Sequence, residues 1–394
     1  MKIAVVGAFD RYNYGDLVMP LIVKREIEKT FTNQKIEFDF YGLAESNMEY
    51  CCGINTKKLL DIYKTKYDGV ILDGGDILSV TWSDMYLNLQ SNKVLIYIFK
   101  CLRKISYDFS NKVARKILKG QTYSPWVLDK SKLNCNYLIY NTVDGKISNQ
   151  QLKKIYNDIK QIDYISIRNY SVYEEIKKLN ENCYMFPDSV INLSKTIDGF
   201  EIESHVSNEI KNFVKNNDYY IFQCKKKIGK ENFEDIVEGI LNVDERINLK
   251  CLLLPIGFAQ GHEDQVILKK INKTLKNTYF FENINIYEIM YLIKNSKLFI
   301  GTSLHGLITS ISYGIPHMAY TNKIEKQIKF LNTWKTTSII YTDSDNMCQD
   351  INFIMKNYEN EKKKVEQQNK KMQSEVDKNF KKIINILSKG IKNG

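Results

Sequence analysis

The chain has 394 residues, 43% of them hydrophobic and 26% charged, with a formal net charge of +11 from 57 basic and 46 acidic residues. That length exceeds one ordinary core and suits two domains, while no apolar run is long enough to cross a bilayer. The basic excess comes with no nucleic-acid-binding signature, so nucleic acid is not expected as a partner. Eight cysteines lie scattered without CxxC or Cys/His ligand spacing. They are expected to be reduced thiols, with no zinc or other metal site, and with no signal segment ahead of the first strand a cytoplasmic protein is expected.

Alternating apolar runs and helical periods fill the first half. Strands are expected at 2–7, 36–41, 68–73, 137–142 and 163–168, with helices near 16–30, 148–160 and 170–179. Runs as continuous as Gly69-Val70-Ile71-Leu72 suit strands covered on both faces, which points to a doubly wound parallel sheet. Between them, about 80–135 reads as a helical insertion. Val94 to Phe99, Ile105, Phe109, Val113 and Ile117 supply its apolar positions. Within it, over about 85–119, Lys93, Lys100, Arg103, Lys104, Lys112, Arg115, Lys116 and Lys119 supply charge against the single acid Asp108. The expectation is that the apolar side packs on the N-terminal domain and the basic side is solvated; a peripheral contact with an anionic membrane is the alternative.

The polar stretch 196–217 reads as the connection to a second α/β series. Its strands are expected at Tyr219 to Phe222, Lys250 to Leu254, Asn277 to Phe281, Lys297 to Ile300 and, briefly, His317 to Tyr320. Residues 353–390 read as a long terminal helix packing by Phe380, Ile383, Ile384, Ile386 and Leu387. The domain reading is 1–195, 196–350 and a helical tail 351–394.

The late segment Gly301-Thr302-Ser303-Leu304-His305-Gly306 ends a strand and opens a helix, which makes an anion site of backbone amides and helix dipole. His305, one of four histidines, stands at its rim with a side chain suited to proton transfer near neutrality. Arg168 ends a buried strand and can offer a planar fork to a carboxylate or phosphate; a helix cap or an inter-domain ion pair is the lesser alternative. Lys323 follows the strand ending at Tyr320, and Lys326 is near enough to compete with it. Asn13-Tyr14-Gly15-Asp16 forms a polar turn after the first strand, with Gly15 allowing a tight turn and Asp16 capping the helix; acceptor binding or base catalysis is the alternative role. Asp73-Gly74-Gly75 lets backbone approach a ligand closely. Asp188 after Pro187 should fix a turn. His262 and His317 lie near strand ends with nothing to mark either as catalytic.

Ser303-Leu304-His305-Gly306 running to Gly314-Ile315-Pro316 resembles the C-terminal signature of the polysaccharide pyruvyl transferase family. Asn13 to Asp16, Asp73 to Gly75, Ile165 to Asn169 with Ser171, Pro187-Asp188, Leu254-Pro255 with Glu263-Asp264, and Lys323 are similar to its other motifs in order. Asn169 stands where the family has an acid and Asp76 where it has a third glycine, and 80–135 aligns with nothing in it. The resemblance implies a GT-B-like fold of two Rossmann-like domains facing across a cleft. It also implies phosphoenolpyruvate as co-substrate, without a further cofactor, and a saccharide or lipid-linked glycan of a cell-surface polysaccharide as acceptor. Arg168, His305 and Lys323 would contact the donor. By their place at strand ends, Gly301, Thr302, Ser303 and Gly306 are expected to aid them, and Asn13 to Asp16 and Asp73 to Gly75 to face the acceptor or line the cleft. Two alternatives remain open here. One is a nucleotide-sugar glycosyltransferase, for which Glu282 and Glu288 are the only candidates to hold a ribose. The other is a non-catalytic glycan-binding protein.

Overall fold

A computed structural model describes residues 1–392 other than 33, 91, 260 and 262; His262 thus lies outside the described residues. Two parallel sheets carry the chain. The first holds β1 (Lys2–Val6), β2 (Glu37–Gly42), β3 (Lys57–Lys58), β4 (Tyr67–Asp73), β5 (Cys135–Val143), β6 (Tyr164–Ile167) and β7 (Cys183–Met185), in the order β3-β2-β1-β4-β5-β6-β7. The second holds β8 (Tyr219–Gln223), β9 (Lys250–Leu253), β10 (Thr278–Tyr279), β11 (Leu298–Gly301), β12 (His317–Tyr320) and β13 (Tyr341–Thr342), in the order β10-β9-β8-β11-β12-β13. Both reverse direction of winding beside their first strand, between β1 and β4 and between β8 and β11. Ligands of such sheets bind beyond the strand ends at that switch point. The cores follow from fully buried strands such as Ile3 to Val6, Val70 to Leu72 and Leu298 to Ile300, where burial on both faces removes the need for alternation.

The two halves are bonded directly. Tyr14 N donates to Ile256 O at 3.1 Å, and the amides of Phe258 and Ala259 donate to Tyr12 O at 3.0 and 2.9 Å. The Tyr12 ring stacks on Phe258 with centroids 4.3 Å apart, and the buried Tyr14 and Thr309 hydroxyls are 3.0 Å apart.

Several expectations change in detail. The connection 196–217 contains the helices Gly199–Ser204 and Asn208–Asn216, whose apolar residues Ile202, Ile210 and Phe213 are buried. The terminal segment is broken at Asn357 into helices Met347–Lys356 and Tyr358–Lys392. The longer one lies on both halves: Asn369 Nδ2 donates to Ser312 O at 2.9 Å, and Asn379 Nδ2 to Asn141 Oδ1 at 2.8 Å. In the insertion, helices Trp82–Leu89, Lys93–Ile105 and Tyr107–Ile117 form as a group. Its apolar side does not pack as expected: Phe99 alone is buried on Lys93–Ile105, while Val94, Tyr97, Ile98 and Ile105 are exposed. No helix among the described residues is long and apolar enough to cross a membrane.

Candidate functional site

The motif residues meet at the C-terminal ends of β1, β4, β6, β8 and β11. Ser303 caps the helix Leu304–Ser312, its Oγ accepting from Gly306 N at 3.3 Å. The first amides of a helix have no intrahelical partner, so those of Ser303, Leu304 and His305 are the anion donors this turn offers. His305 is packed directly on the start of the helix Tyr14–Thr30: a Cβ on Gly15 would overlap its imidazole ring. Gly15 is therefore needed for ring contact, not for a tight turn. Two helix N-termini, each a partial positive charge, thus converge beside His305.

Asp188 connects the rest. Its Oδ1 accepts from Val190 N at 2.9 Å, capping the turn Ser189–Asn192. Its Oδ2 accepts from Arg168 Nη1 at 2.5 Å and stands 3.7 Å from His305 Nε2. That nitrogen has no hydrogen-bond partner among the described residues. Burial alone would raise the Asp188 pKa, but His305 and the Arg168 guanidinium hold it far below the usual carboxylate range. Arg168 is fully buried, and its Nε donates to Asp144 Oδ2 at 3.3 Å. Burial works against its charge, yet Asp188, Asp144 and Asp76 keep it firmly protonated. The fork expected for a donor is therefore half spent, Nε and Nη1 being held by carboxylates. Nη2 remains, and a Cβ on Gly75 would come within 2.6 Å of it. Here too glycine serves close approach.

A buried chain of amides leads to Asp73. Tyr164 OH donates to Asn379 Oδ1 (2.7 Å), Asn379 Nδ2 to Asn141 Oδ1 (2.8 Å) and Asn141 Nδ2 to Asp73 Oδ1 (2.9 Å). Asp73 Oδ2 is buried without a partner among the described residues. Burial, only partly offset by the Asn141 bond and reinforced by Asp188 and Asp16, pushes its pKa up to about 8. Between Tyr140 and Val143 the pairing of β5 with β6 shifts register, and Thr142 has φ 47°. A β-branched residue in the left-handed region is strained; the shift aims Asn141 at Asp73 and Asp144 at Arg168.

Beside this cluster opens a cavity of about 310 Å³ between the halves, lined by Asp144, Arg168, Asn169 and Ser171 on one side and Leu304, Lys326 and Lys329 on the other. Lys326 Nζ reaches across to Asp76 Oδ2 at 2.5 Å. Asp76, which replaces a glycine in the motif, thus has a partner on the opposite half. Lys323 stays exposed, its amide donating to Thr321 Oγ1 at 3.4 Å. Lys225, at the end of β8, is a cation that sequence reading missed. Burial first, and Lys326 second, lower its pKa. Among the described residues no group of three or more His, Cys, Asp or Glu side chains is arranged to hold a metal ion.

A family model for polysaccharide pyruvyl transferase matches residues 13–324. The chain belongs to the polysaccharide pyruvyl transferase family. It is accordingly a transferase of polysaccharide biosynthesis. No curated protein matches its sequence. Solved structures similar to it include UDP-GlcNAc 2-epimerase of Neisseria meningitidis bound to UDP-GlcNAc, 11% identical over 99% of this chain and 100% of that one, with a TM-score of 0.56. HepE of Anabaena in complex with UDP-glucose is 11% identical over 100% of both chains, TM-score 0.54. UDP-GlcNAc 2-epimerase of Methanocaldococcus jannaschii with UDP-GlcNAc and UDP is 11% identical over 90% of this chain and 92% of that one, TM-score 0.51. At such identity the likeness concerns the fold, which is GT-B-like.

In this pyruvyl transferase family member, the structure brings together Gly15, Asp73, Gly75, Arg168, Ser303 and His305. Others it employs differently from the expectation. Thr302 is buried, its amide donating to Gln223 Oε1 at 2.8 Å and its hydroxyl accepting from Lys225 N at 2.8 Å. It joins β11 to β8 and has no amide to spare. Gly301 ends β11 against the Phe299 ring and Gln223, and Gly306 N is taken by Ser303. Asp16 Oδ2 accepts from the Asn13 side chain at 2.8 Å and caps no backbone amide among the described residues. Gly74 lies against Ile77. His317 is buried between Ile315 O and Thr336 Oγ1 at 2.9 and 2.8 Å, and burial lowers its pKa to about 4. Glu288 accepts from Ser207 N and Asn285 N, both at 3.0 Å, and Glu282 pairs with Lys269. Glu288 is thus engaged by backbone amides, while Glu282 holds only an exposed surface pair. Asp188 and Asp144 were the residues hardest to foresee; the only signal was the Pro187-Asp188 turn.

Proposed function

We propose that the protein moves the pyruvyl group of phosphoenolpyruvate onto two hydroxyls of a saccharide, free or lipid-linked, in the cytoplasmic assembly of a cell-surface or extracellular polysaccharide. The observation that carries this reading is the Arg168–Asp188–His305 cluster beside two converging helix N-termini. The donor is a small anion with a carboxylate and a phosphate. It requires fixed positive charge and N–H donors together with a proton donor over its methylene carbon. Amides of Ser303, Leu304 and His305, Nη2 of Arg168, and Lys323 are assigned to holding it. His305 protonates the methylene carbon, leaving an oxocarbenium-like centre at C2. One acceptor hydroxyl adds there and loses its proton to the imidazole. The C2–O bond to phosphate breaks, the second hydroxyl closes the ketal, and its proton leaves with the phosphate. The donor itself supplies pyruvyl and leaving group, so no further cofactor is required. Eight free thiols suit a reducing compartment.

Phosphate release from phosphoenolpyruvate in the presence of candidate saccharides tests this, run beside nucleotide release from UDP-sugars. Acceptor-dependent phosphate release with formation of a ketal is expected. Nucleotide release without any phosphate release would overturn the reading in favour of a glycosyltransferase.

A further inference from the structure

The helical insertion presents an uncovered surface with a definite chemistry. On helix Lys93–Ile105, Val94, Ile98, Cys101 and Ile105 recur at i, i+4, i+7 and i+11, one continuous stripe along a helix. Val94 is 65%, Ile98 55% and Ile105 83% exposed, and Tyr97 at the stripe's edge is 71% exposed. The opposite face is the anchored one. Phe99 packs on Tyr86 with centroids 4.3 Å apart, and Arg103 pairs with Asp84 at 2.8 Å. The next helix adds Phe109 and Ile117 at 55% and 53% exposure. Lys93, Lys100 and Lys104 share a third face of the first helix, and Lys112, Arg115, Lys116 and Lys119 are exposed on and just after the second. The one acid on these two helices, Asp108, is occupied by Lys154, Tyr123 and Gln150 at 2.6, 3.0 and 2.8 Å.

Contiguous exposed apolar residues rimmed by charge mark an interaction site. An apolar stripe flanked by lysines, with a tyrosine between, is the pattern of a helix lying in a lipid headgroup layer. We propose that the outer face of helices Lys93–Ile105 and Tyr107–Ile117 docks on an anionic lipid bilayer. Charge complementarity selects this partner, since two copies meeting through the patch would oppose their basic faces. The inference stands without the pyruvyl-transfer reading. If that reading also holds, the insertion, which leaves the sheet at the cleft end of β4 just after Asp76, brings the cleft toward a lipid-linked acceptor.

Sedimentation of the full chain with phosphatidylcholine vesicles, with and without phosphatidylglycerol, tests the proposal with neither donor nor acceptor present. Binding to the anionic vesicles only is expected. It should fall at least about tenfold both in Lys100→Glu/Lys104→Glu/Lys112→Glu/Lys116→Glu and in Val94→Ser/Ile98→Ser/Ile105→Ser/Phe109→Ser, since surface charge and buried apolar area each contribute to attachment. All these side chains are exposed, and unchanged circular dichroism confirms folding. No vesicle binding by the native chain overturns the proposal. So does full binding by the serine variant, or self-association of the native chain that the serine variant abolishes while vesicles are ignored.

Discussion

At the scale of single residues, the separation of roles between His305 and Arg168 is open to direct measurement. His305→Ala should lower turnover by roughly 10²- to 10⁴-fold, the range of general acid–base catalysis, with little loss of donor affinity, because a group acting only in the transition state contributes nothing to the ground state. Arg168 needs a gentler variant. Removing its charge would leave Asp188 and Asp144 buried and unpaired, a loss of about 3–5 kcal/mol, so alanine would report on folding. Arg168→Lys keeps the charge and loses the Nη2 contact; the donor KM should rise roughly tenfold to a hundredfold, as for one hydrogen bond to a charged group. Normal turnover of His305→Ala at saturating donor would move the acid elsewhere. Asp73 gives a second measurement. Its pKa lies near 3.8 unfolded and is raised to about 8 by burial. Between those values the folded state holds the extra proton, so its contribution is complete below about pH 4 and is lost as pH rises through 8, at up to about 1.4 kcal/mol per unit. Asp73→Asn keeps an acceptor for Asn141 and removes the titration. Its melting temperature should gain on the native protein progressively from pH 5 to pH 8; a constant difference would show that Asp73 is ionised throughout.

The elements show what a sequence can and cannot reveal. β1, β4 and β11 are legible because burial on both faces demands uninterrupted apolar runs. The two-residue strands β3 and β13 are not, since Lys57 and Lys58 are exposed and hold their place only by pairing. The terminal helix was legible in its last turns alone. Its buried stripe in fact runs through Glu361, Val365, Asn369, Met372, Val376 and Asn379 to Leu387, and the three polar members disguise the period. They are tolerated because each is bonded: Glu361 by Ser338, Asn369 to Ser312, Asn379 to Asn141. The strand-end motifs carried the site's position, while the carboxylates around Arg168 come from β5 and the turn after β7 and could be joined only in three dimensions. The turn before helix Glu325–Trp334 offers a test at this scale. Lys326 is neutralised by Asp76 across the cavity, whereas the Lys323 side chain is exposed and makes no ion pair among the described residues. Lys323→Ala should therefore raise the donor KM more than Lys326→Ala, and the Lys323 effect should shrink as salt is added. The reverse ranking would assign the donor's second cation to Lys326.

Across the whole molecule, the cleft is held in shape by contacts that do not line it. The helix Tyr358–Lys392 is bonded to the second half through Asn369 and Ser312, and to the first through Asn379, through Asp377 with Lys195 at 2.7 Å, and through Leu387, which sits directly on Gly69 of β4. Val376, Phe380, Ile383 and Leu387 are buried there. Without them the face of β4 and β5 beneath would meet water, and Asn141 and Tyr164 would lose Asn379. Each buried polar group left without a partner costs about 1–3 kcal/mol, in addition to the exposed apolar area. The second half keeps most of its own core, so the two halves should part in stability. The native chain is expected to unfold in one calorimetric transition, and a chain ending at Asn357 in two, the first at lower temperature and belonging to the N-terminal half. Donor affinity should fall with it, because Arg168 and Asp188 are contributed by that half. A shortened chain that still unfolds once, at the native temperature, would mean that the Tyr12–Phe258 and Tyr14–Thr309 contacts alone join the halves.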